Sequence, residues 1–387
     1  MGTQLFLNLA IILIITKIFG ILTRRLHLPQ VVGALFAGII LGPAMLGIIE
    51  PDELFEILAE LGVILLMFTA GLETDFKQLK QSVKPSVLIA VFGVLFPLLG
   101  GFVLALCFGE NILESMFIGV ILTATSVSIT VETLHELGKF KTKAGTTILG
   151  AAVIDDILGI IWLSVMLSMN NDDISVAGIA FVVLKIILFF ILAAGCGFAV
   201  FKLFEYLSAE WGMKRRISVF GLAFCFIMAY AAEQFGVADI TGAYIAGLVL
   251  CNSKAEKYIE EKSTVLSFLF FSPIFFVSVG LKTSFTGFSG SIIFFAVLLL
   301  VVAVVTKTFG CGLGAKICKY TNHESLQVGV GMVSRGEVAI IVANIGMAAG
   351  FINSHYFSSI IIVVIITTLI TPILLKLAFS EKRKENR

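Results

Sequence analysis

Thirteen apolar stretches, each close to the length of a membrane crossing, fill almost the whole of this 387-residue chain. A span needs about 20 mainly apolar residues. Runs that meet the test lie at approximately 4–22, 30–48, 53–73, 85–108, 112–134, 144–169, 175–201, 217–234, 237–252, 263–281, 289–315, 325–350 and 355–379. Apolar residues make up 58% of the chain and charged residues 14%, with a mean hydropathy of +1.06. Soluble domains hold about 45–50% apolar and about 25% charged residues. Lipid offers the backbone no hydrogen-bond partner, so each run must satisfy its own amides as a helix. The expectation is an all-α membrane protein with one membrane domain over residues 1–387 and no soluble regulatory domain.

The first run starts near Leu5 without a basic leader or an Ala-x-Ala site, which makes it a retained span and not a signal peptide. Six cysteines are scattered through or beside apolar runs with no Cys-x-x-Cys, and they read as small hydrophobes. A net charge of +1 gives nucleic acid nothing to bind. Lys and Arg gather in cytoplasmic loops. With the N-terminus outside, twenty-two of the 27 basic residues fall on the cytoplasmic side, only Lys282 falls in an external loop, and Lys17, Lys185, Lys307 and Arg335 lie within spans. The same count places the C-terminus in the cytoplasm.

Two internal matches share one displacement. Gly33-Ala34-Leu35-Phe36-Ala37-Gly38 is echoed by Gly242-Ala243-Tyr244-Ile245-Ala246-Gly247, and Gly71-Leu72-Glu73-Thr74-Asp75-Phe76 by Gly280-Leu281-Lys282-Thr283-Ser284-Phe285, both 209 residues on. Small residues suit close helix packing, but packing does not explain a common register. The displacement moves each span seven helices along the chain. Seven is odd, so each copy crosses in the opposite sense: a first repeat at about 1–170, a linker helix at about 175–201 and an inverted second repeat at about 214–380. A 6+1+6 arrangement of this kind belongs to secondary transporters, whose sites lie near the midplane where interrupted helices meet. Two runs look interrupted: Thr123 to Thr130 holds five hydroxyls in eight residues, and Ser334-Arg335-Gly336-Glu337 breaks an apolar stretch.

Asp155 and Asp156 sit in the middle of the run 144–169. A carboxylate at bilayer depth costs at least about 2.5 kcal/mol, so it marks an ion path more often than a structural accident. Consecutive helical residues point about 100° apart, so the two acids need different partners. Lys307 is the one lysine at the centre of an apolar run. It is expected to pair with one aspartate and leave the other to hold a cation or a proton. Withdrawal from water favours the neutral form of acid and amine alike, so cation and proton compete for the same oxygens, with span-5 hydroxyls or carbonyls completing an oxygen shell. Arg335 and Glu337 fit structural or gating roles. Glu73, Glu132 and Asp239 lie near run ends and read as solvated; His27, His135, His323 and His355 fall in or beside loops and read as solvated residues there.

Val-Ile-Asp-Asp-Ile-Leu-Gly, the Thr-Ala-Thr-Ser-Val run before it, the later Lys307 and the Ser-Arg-Gly-Glu-Val stretch together resemble the monovalent cation/proton antiporter superfamily. The likeness is nearest to its double-aspartate branch, with bacterial Na+/H+ antiporters of the NapA and GerN kind and the membrane domains of Kef systems. Phe68 to Phe76 is similar to that branch too. The resemblance implies the NhaA-like antiporter fold with two broken crossing helices. It implies that Asp156 carries the ion (Na+), that Asp155 pairs with Lys307, that Thr125 and Ser126 lie where the unwound helices cross, and that Arg335 and Glu337 flank the matching break. It further implies a homodimer in the cell (inner) membrane, an elevator-like motion, no cofactor beyond the transported ions, and no partner besides cations, protons and lipid.

The expected activity is electrogenic exchange of Na+, with Li+ or K+ as other candidates, for H+. K+/H+ exchange is an alternative. A cation channel would dissipate a gradient without obligatory proton flux. An intramembrane aspartyl protease needs one acid from each of two helices, and here the acids are adjacent on one.

Overall fold

The computed structural model describes residues 2–50, 52–169, 176–210, 214–283 and 290–380. The described residues form helices α1 (Gly2–Arg25), α2 (Gln30–Leu41), α3 (Glu53–Glu73), α4 (Phe76–Cys107), α5 (Ile112–Thr123), α6 (Val127–Glu136), α7 (Lys143–Met169) and α8 (Val176–Glu210). They continue as α9 (Lys214–Gln234), α10 (Asp239–Leu250), α11 (Glu256–Leu266), α12 (Ser272–Leu281), α13 (Gly290–Ile317), α14 (Asn322–Gly331), α15 (Glu337–Ala348) and α16 (Ser354–Phe379). A π-helical stretch, Ser267–Phe271, joins α11 to α12. Among the described residues there is no strand. Ten segments among the described residues are long and apolar enough to cross a membrane, counting α5 with α6 and α11 with α12, while α2, α10 and α15 are shorter apolar helices. The chain is a multi-pass membrane protein.

Several boundaries differ from those read off the apolar runs. The run 30–48 is helical only to Leu41: Gly42 is extended (ψ 179°) because Pro43 disfavours a helical residue before it and brings no N–H of its own. The run 325–350 is two helices, α14 and α15. The run 263–281 begins earlier, at Glu256, and the expected linker helix reaches Glu210. Ser175, Ser284, Phe285, Lys382, Arg383, Lys384 and Arg387 lie outside the described residues.

The helices pack as two bundles. In one, α4 lies along α5, α7 and α13, and α13 along α14 and α16. Its apolar interior includes Phe117, Ile121, Phe295, Leu299, Ala303, Ala343 and Ile360, with Phe117 stacked on Phe351 at 4.9 Å between ring centroids. In the other, α3 lies along α10 and α12, α2 along α1 and α12, and α9 along α10 and α11.

The second bundle is closed by backbone meeting backbone. A Cβ placed on Gly38 would sit 2.9 Å from the Gly280 Cα, and one on Gly71 would sit 2.9 Å from the Gly247 Cα. Only glycine permits that approach of α2 to α12 and of α3 to α10. The displacement of 209 carries Gly38 to Gly247 and Gly71 to Gly280, so each contact is carried onto the other.

Candidate functional site

The first bundle holds two interrupted helices. α5 stops at Thr123 and α6 starts at Val127; α14 stops at Gly331 and α15 starts at Glu337. Interruption frees backbone groups that lipid cannot satisfy, and the two gaps satisfy each other. The Ser126 N–H donates to the Ser334 carbonyl at 2.8 Å, and the Ser334 hydroxyl donates back to the Ser126 carbonyl at 2.6 Å. The Thr130 hydroxyl donates to the Gly331 carbonyl at 2.7 Å and lies 3.0 Å from Ser334 Oγ. One hydroxyl from each interrupted run, Thr130 and Ser334, thus serves as a backbone partner across the gap. Gly336 lets the two non-helical segments touch, since a Cβ there would lie 2.7 Å from Ser126 Oγ.

The ends of the half-helices set the electrostatics. A helix C-terminus carries partial negative charge and an N-terminus partial positive charge. The last carbonyls of α5 receive cations: Lys307 Nζ donates to Thr123 O at 2.7 Å, and Arg335 donates to Leu122 O at 2.8 Å, Val333 O at 3.0 Å and Ala303 O at 3.3 Å. Thr368 donates its hydroxyl to the Arg335 carbonyl. Glu337 occupies the first turn of α15, at a positive end. Arg335 and Glu337 do not pair. One caps carbonyls in the interior, and the other faces a cavity.

The two aspartates of α7 are separated in the same way. Asp155 is 2% exposed, and Lys307, which is fully buried, donates to both its oxygens at 2.9 and 3.1 Å. Gly93 of α4 leaves room for the pair, because a Cβ there would meet Cys311 Sγ at 2.5 Å and lie 3.8 Å from both Asp155 Oδ1 and Lys307 Nζ. Asp156 turns the other way. Its side chain borders a cavity of about 480 Å³ between the two bundles and takes no hydrogen bond or ion pair from any described residue. Its charged neighbours are Asp155, Glu337, Lys307 and Asp239. Glu337 also borders the cavity, and its Oε2 is buried without a partner.

Thr123 and Ala124 line this cavity, whereas Thr125 and Ser126 do not. Ser126 is held in the crossing, and the Thr125 hydroxyl is buried without a partner. The cavity is also lined by Glu56 and Glu60 of α3, Glu233 of α9, Asp239 of α10 and Lys282 after α12, where the Glu60 and Asp239 carboxyls share a hydrogen bond. Motif reasoning did not bring these acids together, because they come from three helices of the second bundle and no spacing links them. One expectation is overturned. Glu132 is 8% exposed, not solvated, because α6 packs under α2 and α3. His135 and His323 lie in the last turn of α6 and the first turn of α14, beside loops as expected, and His135 Nε2 sits 3.2 Å from Glu73 Oε1.

A cavity reaching one unpaired carboxyl, beside a second carboxyl locked to a lysine, suits reversible binding of a small cation or a proton. Comparison with known proteins agrees. Residues 10–380 match the family described as sodium/hydrogen exchanger, transmembrane. The chain is 42% identical over 386 residues to the Na(+)/H(+)-K(+) antiporter GerN of Bacillus cereus, covering 99% of this chain and 98% of that one. It is 39% identical to a Na(+)/H(+) antiporter of Enterococcus hirae, covering 95% and 96%. Among solved structures, the sodium proton antiporter MjNhaP1 of Methanocaldococcus jannaschii shares the fold with a TM-score of 0.72 at 20% identity, over 97% of this chain and 98% of that one.

Proposed function

The chain belongs to the sodium/hydrogen exchanger transmembrane family, and on that premise we propose that it exchanges Na+ for H+ with Asp156 as the carrier. It is a transporter and not an enzyme. GerN is named for K+ as well as Na+, so K+, with Li+, belongs among the ions to be tested.

One observation carries the assignment: Asp156 faces a cavity without a partner while its neighbour Asp155 is fully engaged. Its oxygens hold either a proton or a cation, and occupancy by one excludes the other. Thr123, Ala124 and Glu337 border the same space and, with water, supply the oxygen ligands a hard cation takes. Lys307 contributes the second proton. With Lys307 as the second proton-carrying group beside Asp156, two protons move per Na+ and the cycle is electrogenic.

The remaining parts of the reading extend this geometry. Exchange of the two glycine contacts under the displacement of 209 supports an inverted 6+1+6 repeat of thirteen spans. The distribution of basic residues supports an N-terminus outside, a C-terminus in the cytoplasm and an acidic mouth of the Asp156 cavity that faces the exterior. The bundle of α4–α7 and α13–α16 slides as an elevator against the other, carrying Asp156 between faces. Apolar exposed faces on α1 and α8, including Phe6, Ile14, Leu184 and Ile191, supply surface for lipid and for a second copy in a homodimer of the inner membrane.

Proteoliposomes with an internal pH dye test the assignment. Adding Na+, Li+ or K+ drives proton movement in the wild type and none in Asp156→Asn. Full exchange by that variant would remove Asp156 as the carrier.

A further inference from the structure

A second cavity, of about 660 Å³, lies at the far end of α6, bordered by Lys17, Gln30, Glu132, His135, Glu136 and Phe268. Two of its three acid or imidazole groups are occupied. The Gln30 N–H donates to Glu136 Oε2 at 2.7 Å, so a carboxylate from the first bundle caps the N-terminus of α2 in the second. His135 contacts Glu73 and stacks on Phe268 with ring centroids 4.5 Å apart. Glu132 has no such engagement: it is 8% exposed, it borders the cavity, and its Oε2 is buried without a partner.

A carboxylate buried without a donor is costly, and here Glu73 and Glu136 add like charge. The group therefore keeps a proton, or a cation enters the cavity to replace it. The described residues hold no cluster of three or more His, Cys, Asp or Glu fit for a metal ion. A single carboxylate with cavity water suits a monovalent alkali ion. The wall beside it is the π-helical stretch Ser267–Phe271, which contributes Phe268, and such bulges recur at functional positions.

We propose that Glu132 is a second alkali-cation and proton site, separate from Asp156 and reached from the opposite face of the protein. On the orientation given above that face is cytoplasmic, and only the sidedness rests on that reading. The site offers the departing or arriving ion a carboxyl on α6, the half-helix that continues from the crossing. The charged groups around it are Glu73 on α3, His135 and Glu136 on α6, Lys17 on α1, and, further out, Arg24 and Lys141. Its occupancy shifts from proton to cation as the pH rises.

Equilibrium binding of radioactive sodium and rubidium to purified full-length protein at alkaline pH tests the proposal. Asp156→Asn should lose one component and keep a second, and adding Glu132→Gln should weaken that second component about tenfold or more. If Asp156→Asn abolishes all alkali-ion binding, or the residual component survives Glu132→Gln, the site does not exist. Should Glu132→Gln fail to give a monodisperse protein, Glu132→Asp in the Asp156→Asn background should keep the component with altered affinity; unaltered affinity would overturn the idea. Failure of the Asp156 assignment looks different, because Asp156→Asn would then bind and transport as the wild type does. In oriented proteoliposomes Glu132→Gln alone should raise the half-saturating Na+ concentration on one face only, and an equal change on both faces would mark a merely structural residue.

Discussion

The two faces of α7 are built on opposite terms. On the dry face Asp155, Lys307, Arg335 and the carbonyls of α5 form a closed set in which each formal charge meets a partner or a helix end. On the wet face Asp156 and Glu337 look into a cavity with carboxyl oxygens uncommitted. Adjacent residues thus fall on opposite sides of one rule: a buried charge must be answered by protein or by something that comes and goes. The dry face fixes the frame, and the wet face leaves Asp156 and Glu337 open to the cavity. Stability and transport should therefore separate cleanly between the two.

The sharpest break is in thermal stability. Lys307→Ala leaves Asp155 buried without its cation, and truncating one partner of a buried pair costs about 3–5 kcal/mol. Asp156→Asn removes a charge that no protein group answers, so the purified protein should melt at or above the wild-type temperature while its exchange is lost. Adding Asp155→Asn to Lys307→Ala should recover most of the lost stability. Equal destabilisation by Lys307→Ala and Asp156→Asn, read by melting in one detergent, would erase the distinction between the faces.

A smaller effect is expected at the crossing, which belongs to the dry face but is held by neutral groups. Ser334→Ala deletes the hydroxyl that serves both Ser126 O and Thr130 Oγ1. Neutral hydrogen bonds between membrane helices are worth about 0.6–2 kcal/mol, so the loss should be about 1–2 kcal/mol, less than for Lys307→Ala. A cost as large as that of Lys307→Ala would mean that the crossing, and not the ion pair, holds the dry face together.

Much of this frame was legible before any coordinates. Composition alone forced a helical membrane protein, and Asp155, Asp156 and Lys307 stood out because acids and amines are so costly in apolar runs. The glycine match at 209 residues was legible because backbone contact tolerates almost no other residue type. Other features needed three dimensions. Glu132 looked solvated because it falls near the end of its run, but which helices cover that end is decided by the other bundle. Thr125 and Ser126 come from a run whose hydroxyls suit an oxygen shell, but Ser126 is tied into the crossing by its backbone N–H and carbonyl while its hydroxyl meets Ser128, a use that residue type alone does not signal. The gathering of Glu60, Glu233 and Asp239 carries no local signal, since each comes from a different helix.

The smallest expected effect lies at the rim of the same α7, where an ion pair meets water instead of protein. Lys143 at its first turn lies 3.4 Å from Glu324 and 3.8 Å over the Tyr320 ring. Burial pushes the Glu324 carboxyl up, but the Thr321 N–H and hydroxyl and Lys143 outweigh it and hold the group below its ordinary value. A depressed carboxyl stabilises the fold above its unfolded pKa, and that contribution fades as the pH falls through the folded one. Glu324→Gln should therefore cost only about 0.5 kcal/mol at neutral pH, as exposed pairs do, and nothing in acid, where the wild-type carboxyl is protonated too. The difference in melting temperature between the two proteins should shrink steadily on acidification and with added salt. If it instead matched the Lys307→Ala loss, or persisted in acid, exposure would not be what separates the weak pair at the rim of α7 from the strong one at its centre.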